Sequence, residues 1–317
     1  MQALRANKPA PAVRVSRTNR RWQSFKLFLF IIPSLALIFL FKYLPLWGWA
    51  YAFYNYKPGL DLADCTFVGL DNFKNLFGTP VLRANILRVL RNTFGIQMLH
   101  YLFMPLPMIF AVFLSEVRSK KFQKLVQTVT TLPNFISWVI MFSLATCIFN
   151  SNGLINSVLV SLGKEPVGNL LQTGENVWLT QTLLSLWKSL GWSSIVYFAT
   201  IAGVDQQMYE AASLDGANRM QRIWYITLPQ LIPTFFVLLI MGIGNFLTSG
   251  VDQYLAFSNA LNRESIEVLD LYVYNLGIGS GMISLSVAVG VLKSLVAVVL
   301  FSMANIASKK IRGTSVF

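Results

Sequence analysis

Six stretches of this chain, residues 25 to 47, 92 to 115, 127 to 149, 178 to 202, 229 to 249 and 283 to 307, each approach the roughly twenty apolar residues that a helix needs to cross a bilayer. That pattern restricts the fold more than any other feature. In hydrocarbon no water pairs with a free backbone N–H or C=O, so an apolar run of this length satisfies its own backbone as a helix. The predicted fold class is therefore all-α, a polytopic membrane protein with six transmembrane helices. The 317 residues are 55% hydrophobic and only 12% charged, well below the charge content of a soluble domain. A net charge of +13 raises nucleic acid as a partner, but the basic residues lie between the apolar runs and do not mark one folded face. Membrane lipid is the expected surrounding, and no nucleic-acid partner is expected.

Charge placement sets the orientation. Arg5, Lys8, Arg14, Arg17, Arg20, Arg21 and Lys26 lie at or before the start of the first run, Arg118, Lys120, Lys121 and Lys124 after the second, Arg219 and Arg222 after the fourth, and Lys309, Lys310 and Arg312 after the last. With the N-terminus inside, these sixteen residues all face the cytoplasm, against seven on the opposite side, as the positive-inside rule requires. Both termini and the loop between the fourth and fifth runs are then cytoplasmic. No small-residue cleavage site clearly follows the apolar run that begins at Phe25, so that run reads as an uncleaved anchor. Cys65 and Cys147 have no metal-ligand spacing around them. Gly163-Lys164 is followed by Glu165 on the outer side, so the chain has no phosphate loop of its own. His100, the single histidine, sits in an apolar run with no carboxylate near it in sequence and reads as a buried structural residue.

The loop between the fourth and fifth runs contains Glu210 to Pro229, EAASLDGANRMQRIWYITLP. It reads as helix, Gly turn, helix, with Ala211, Ala212, Ser213, Gly216 and Ala217 small enough for a partner surface to approach closely. Glu210-Ala-Ala, Gly216 after three intervening positions, nine more residues and then Ile226-x-Leu228-Pro229 resemble the cytoplasmic signature loop of permease subunits of binding-protein-dependent ABC importers. Phe67 to Phe73, Asn92-Thr93, Trp187 to Trp192, Ala202-Gly203, Asp270 to Tyr274, Ala288 to Gly290 and Ala304-Asn305 are similar to the carbohydrate and oligosaccharide branch of that family, and the resemblance runs from about residue 25 to the C-terminus.

That resemblance implies the type I importer permease fold in a bacterial cytoplasmic (inner) membrane. Residues 1 to 24 would be a basic cytoplasmic tail and 25 to 317 the permease domain, with a coupling loop over 205 to 229. Glu210, Ala211, Ala212, Asp215, Gly216, Ile226, Leu228 and Pro229 would carry the coupling contact. Implied partners are a second permease subunit, a pair of cytoplasmic ATPase subunits that bind the ATP and Mg, an extracytoplasmic solute-binding protein, and a saccharide substrate. This chain itself would hold no cofactor and catalyse no reaction.

Lys188, Trp192, Tyr197, Asn245 and Lys293 are candidates to line the substrate pathway. Lys188 and Lys293 lie ten or so residues into apolar runs that contain no carboxylate, and a lysine near the bilayer centre costs about 2.5 to 3.5 kcal/mol on insertion scales. Each must face a polar cavity, a backbone carbonyl or a partner's carboxylate. The first of these suggests acidic saccharides such as alginate or pectin fragments. The outer segment 250 to 282, with Asp252, Glu264, Glu267 and Asp270, is too polar to span and is a candidate contact for the binding protein. An ion-coupled secondary carrier is the alternative class, but it should place a carboxylate within its spans.

Overall fold

The computed structural model describes residues 17–312, which fall into two compact units that divide between Ala50 and Tyr51. In the first, α1 (Arg17–Ile38) continues through a π turn at Phe39–Tyr43 into 3-10 turns that begin at Leu44. The expected tail thus merges into a helix at Arg17, and its residues before that lie outside the described residues. None of the most apolar stretch within Phe25–Phe53 is buried, so its apolar side chains are all available to lipid or to another chain.

The first α-helix of the second unit, the short α2 (Asp71–Gly78), buries Leu76 and runs into α3 (Pro80–Phe103). Pro80 opens α3 in the first turn, where a missing N–H costs nothing. Pro105 ends the register of α3, and α4 (Leu106–Ser115) continues the span. The third apolar run, 127 to 149, differs from the continuous helix expected. It is split into α5 (Lys120–Thr131) and α6 (Trp138–Phe149) by a 3-10 turn at Leu132–Phe135. Pro133 lacks an N–H to continue the ladder, and Ser137 caps the new helix by accepting from the Ile140 N–H. A short helix, α7 (Leu154–Ser161), follows.

α8 (Val177–Ala202) is the hub, packing on α3, α4, α5 and, further along, α11 (Leu228–Gly244). The close approach is set by Gly191, where a Cβ would sit 2.3 Å from the carbonyl carbon of Thr130. Between α8 and α11 lie α9 (Gln206–Leu214), the four-residue α10 (Arg219–Arg222) and a π turn at Ile223–Thr227. Beyond α11 come three short helices, α12 (Asp252–Phe257), α13 (Arg263–Ile266) and α14 (Leu269–Tyr274), and the long α15 (Ile283–Arg312) closes the unit.

Among the described residues five helices are long and apolar enough to cross a membrane: Phe25–Phe53, Pro80–Ser115, Trp138–Ser161, Arg219–Gly244 and Ile283–Lys310. α8, at 26 residues, has the length to span but carries Gln181, Thr182, Lys188 and several serines, which lower its hydropathy. Those polar groups are satisfied inside the protein. Gln253 donates to the Gln181 side chain at 2.9 Å, Thr182 donates to the Trp178 carbonyl, and Ser194 to that of Leu190. The core is three buried clusters, one around Val89, Tyr272 and Ala288, one around Ile96, Tyr254 and Leu271, and one around Val112, Tyr197 and Leu231.

Candidate functional site

The segment from Asp205 to Pro229 is built by local hydrogen bonding. The Asp205 carboxylate caps α9 by accepting from the Gln207 N–H at 3.0 Å. At the other end the Ala217 N–H reaches back to the Ala212 carbonyl at 2.9 Å, which requires the chain to turn through Gly216 at φ +79°. A side chain at that φ is strained, by about 1 kcal/mol or more. Asn218 and Gln221 then form a reciprocal capping box that restarts the helix.

The signature residues divide into two groups. Glu210, Ala211, Asp215 and Gly216 are exposed, Ala212 is half-buried, α9 has no buried residue, and Leu214 at its end is 90% exposed. Glu210 makes no ion pair with any described residue. Ile226, by contrast, is buried, and Leu228 packs against the cluster that contains Tyr197 and Leu231, with Pro229 exposed in the first turn of α11. So the second half of the pattern anchors the segment in the core, while the first half is displayed. Two further bonds tie the halves together: Tyr209 to Thr227 between hydroxyls at 3.0 Å, and Arg222 donating to the Ser213 hydroxyl at 3.1 Å.

The candidate pathway residues do not converge on one cavity. Lys188 donates to the carbonyls of Asn134 and Pro133 at 2.7 and 3.3 Å, and its ammonium lies 5.5 Å from the centre of the Trp138 ring. It therefore serves the carbonyls released at the α5–α6 break. Asn245 is exposed past the end of α11 and donates to the Met241 carbonyl. Tyr197 is a core residue, 1% exposed. Trp192 is half-exposed, stands edge-on to Phe135, and with Tyr197 contributes to a cavity of about 370 Å³. Ser189, Ser193 and His100 also line it, and the Nε2 of His100 is buried without a hydrogen-bond partner. The sequence reads His100 as a buried structural residue; its place on this wall depends on α3 meeting α8, which no local signal announces.

Lys293 is the clearest departure. It ion-pairs with Asp270 of the same chain, so its charge is met from the outer segment. The other Asp270 oxygen accepts from the backbone N–H groups of Ser249 and Gly250 at 2.9 and 3.0 Å. Glu267, three residues earlier and 1% exposed, pairs with Arg88 of α3 at 2.6 Å and accepts from Asn275 at 2.8 Å. Asn92 of α3 donates to the carbonyls of Glu264 and Glu267. Burial first, and the Asp270 charge second, push the Tyr254 phenol well above its ordinary range and keep it neutral. Glu267 and Asp270, both candidates for contact with a binding protein, are thus committed to α3, to α15 and to the backbone at Ser249 and Gly250. Asn262 is itself buried, donating to the Leu171 and Phe257 carbonyls.

Residues 103–313 match the family described as binding-protein-dependent transport system inner membrane component. Protein LplB of Bacillus subtilis (strain 168) is 41% identical over 288 residues, 90% of this chain and 88% of the relative. The polygalacturonan/rhamnogalacturonan transport system permease protein YteP of the same organism is 41% identical over 286 residues, with the same shares of the two chains. Two solved structures share the fold. One is a bacterial ABC transporter involved in the import of the acidic polysaccharide alginate, with a TM-score of 0.80 at 32% identity over 92% of this chain and 99% of that one. The other is a bacterial alginate ABC transporter in complex with an alginate pentasaccharide-bound periplasmic protein, with a TM-score of 0.82 at 31% identity over 94% and 99%. The chain belongs to the binding-protein-dependent transport system inner membrane component family. It is a multi-pass permease subunit of the bacterial inner membrane with the fold of an ABC importer permease.

Proposed function

We propose that the chain is one of two permease subunits of an ATP-driven importer that takes up acidic oligosaccharides delivered by an extracytoplasmic binding protein. Both termini and the 205 to 229 segment face the cytoplasm, and six helices span, α8 being the sixth. ATP and Mg are bound by a pair of ATPase chains that seat on the exposed face of α9. The substrate class is supported by the 41% identity to the polygalacturonan/rhamnogalacturonan permease and by the fold shared with the alginate importers. Lysine charge in the spans does not support it, because Lys188 and Lys293 both have partners within the chain.

The observation that carries the coupling role is the division of the signature loop into a core-anchored half and a bare half. An element fixed to α8 and α11 at its base and free at its tip transmits a push on the tip to both helices. Glu210 is free to pair with a basic residue of the ATPase, and Ala211 and Ala212 leave room for its cleft. Uptake by the importer, assembled from its subunits in liposomes, tests the substrate: galacturonate oligomers are expected to enter on ATP addition and a neutral oligosaccharide of equal length far less. Preference for the neutral sugar would refute the acidic reading and leave the family assignment standing.

A further inference from the structure

A cavity of about 540 Å³ lies between the turn that joins α4 to α5 and the base of the 205 to 229 segment. One wall is cationic: Lys120 and Lys124 from the first turns of α5, and Arg222 from α10. Glu116 is the only acidic residue lining it, so the wall carries a net charge of about +2. No described residue forms an ion pair with any of the three cations, and the Nε of Arg222 is buried with no acceptor at all. A buried donor left in that state costs about 1 to 3 kcal/mol, so an acceptor that reaches the Arg222 Nε is stabilised there. Phe198, Ile201 and Ala202, where α8 ends, add an apolar part to the lining. Three cations, the side-chain amides of Gln123, Gln127 and Gln206, and the end of a membrane helix in one lining suit an amphiphile whose head is an anion with several acceptor oxygens.

We propose that this cavity binds the phosphate of an anionic lipid headgroup and so ties the base of the coupling element to the inner leaflet. The inference rests on the cytoplasmic placement of that element. It adds a ligand that neither the signature loop nor the relatives suggest.

The importer, assembled with its partners in nanodiscs of mixed phosphatidylcholine and phosphatidylglycerol, tests it by the lipid that stays bound after detergent washing. Phosphatidylglycerol should be retained over phosphatidylcholine. The double variant Lys120→Gln/Lys124→Gln should weaken retention about thirtyfold, the value of two basic side chains at an anionic headgroup. Arg118→Gln/Lys121→Gln, which removes the same charge from neighbouring positions outside the cavity lining, should leave retention close to native. Equal loss from both pairs, or no loss from either, overturns the site. Inorganic phosphate titrated into phosphatidylcholine-only nanodiscs separates the sources. Binding that depends on Lys120 and Lys124, without phosphatidylglycerol retention, would keep the phosphate chemistry and overturn the lipid. Capture of the ATPase by a photocrosslinker at Lys124 would overturn the proposal altogether.

Discussion

Two polar interruptions of similar length sit between apolar runs, 205 to 229 and 250 to 282, and they use their polar groups in opposite ways. The first satisfies its backbone with near neighbours: Asp205 with Gln207, Asn218 with Gln221, Ala217 with Ala212. Of its exposed face, Glu210 makes no ion pair with any described residue and Leu214 is 90% exposed. The second sends two of its four carboxylates to distant helices, the buried Glu267 to Arg88 and the part-buried Asp270 to Lys293. The tip of a segment of the first kind can dock on a partner without breaking a core contact, while its base, at Ile226 and Leu228, is held in the core. One of the second kind cannot move unless α3 and α15 move with it, which makes it a strut.

The contrast is broken most directly at the strut. Asp270→Ala leaves the Lys293 ammonium part-buried and unpaired and frees the Ser249 and Gly250 amides, and removing one partner of a buried pair costs about 3 to 5 kcal/mol. The expected result is loss of folded protein from the membrane, measured by detergent-solubilised yield and thermal unfolding. The exchange Asp270→Lys with Lys293→Asp should recover part of the lost stability. A stable Asp270→Ala protein would mean that the outer segment is no more structural than the inner one.

Next in size is Gly216→Leu. It strains one turn by about 1 to 2 kcal/mol, and no neighbour lies within 4 Å of the added Cβ. The fold should survive, while ATP hydrolysis proceeds without uptake; Gly216→Asn, which tolerates the left-handed turn, should couple better than Leu. Normal coupling by the Leu variant would remove the turn from the mechanism. Lys188→Met is expected to cost a similar amount of stability, about 1 to 2 kcal/mol, by leaving the Asn134 and Pro133 carbonyls short of a donor, and to have the smaller effect on coupling. Its uptake of acidic and neutral oligomers should drop together, since the charge serves the helix break; a selective loss of acidic uptake would return Lys188 to the pathway. Smallest is Lys74→Ala, which removes only the exposed pair with Asp71 and should shift stability by less than about 0.5 kcal/mol.

What the sequence makes legible follows the same division. The 205 to 229 segment is readable because its bonds are local, so cap residues, the Gly turn and small residues all appear within one short string. The outer segment is not, because its polarity looks the same whether exposed or buried. Arg88 and Glu267 are 179 positions apart and nothing in either neighbourhood names the other. The same limit hid the partner of Lys293, whose own span contains no carboxylate. The break near Pro133 lies between these cases. Proline marks where a helix can part, but whether it kinks or divides depends on Lys188 of α8 arriving to serve the released carbonyls. As for α8, its length is that of a span and its composition is that of a buried hub, and a hydropathy criterion weighs only the second.

Photocrosslinking at Leu214 tests the central claim most directly, because that side chain stands at the bare tip of α9 and touches little of its own chain. With a photoreactive residue there, and a matching one at the exposed Leu261 of the outer segment as comparison, the assembled importer in native membranes should yield an ATPase adduct from position 214 and none from position 261. The 214 adduct should also change in yield when ATP is trapped on the ATPase. An importer that transports normally, carries the probe at 214 and gives no ATPase adduct in any nucleotide state would contradict the assignment of this segment as the coupling element.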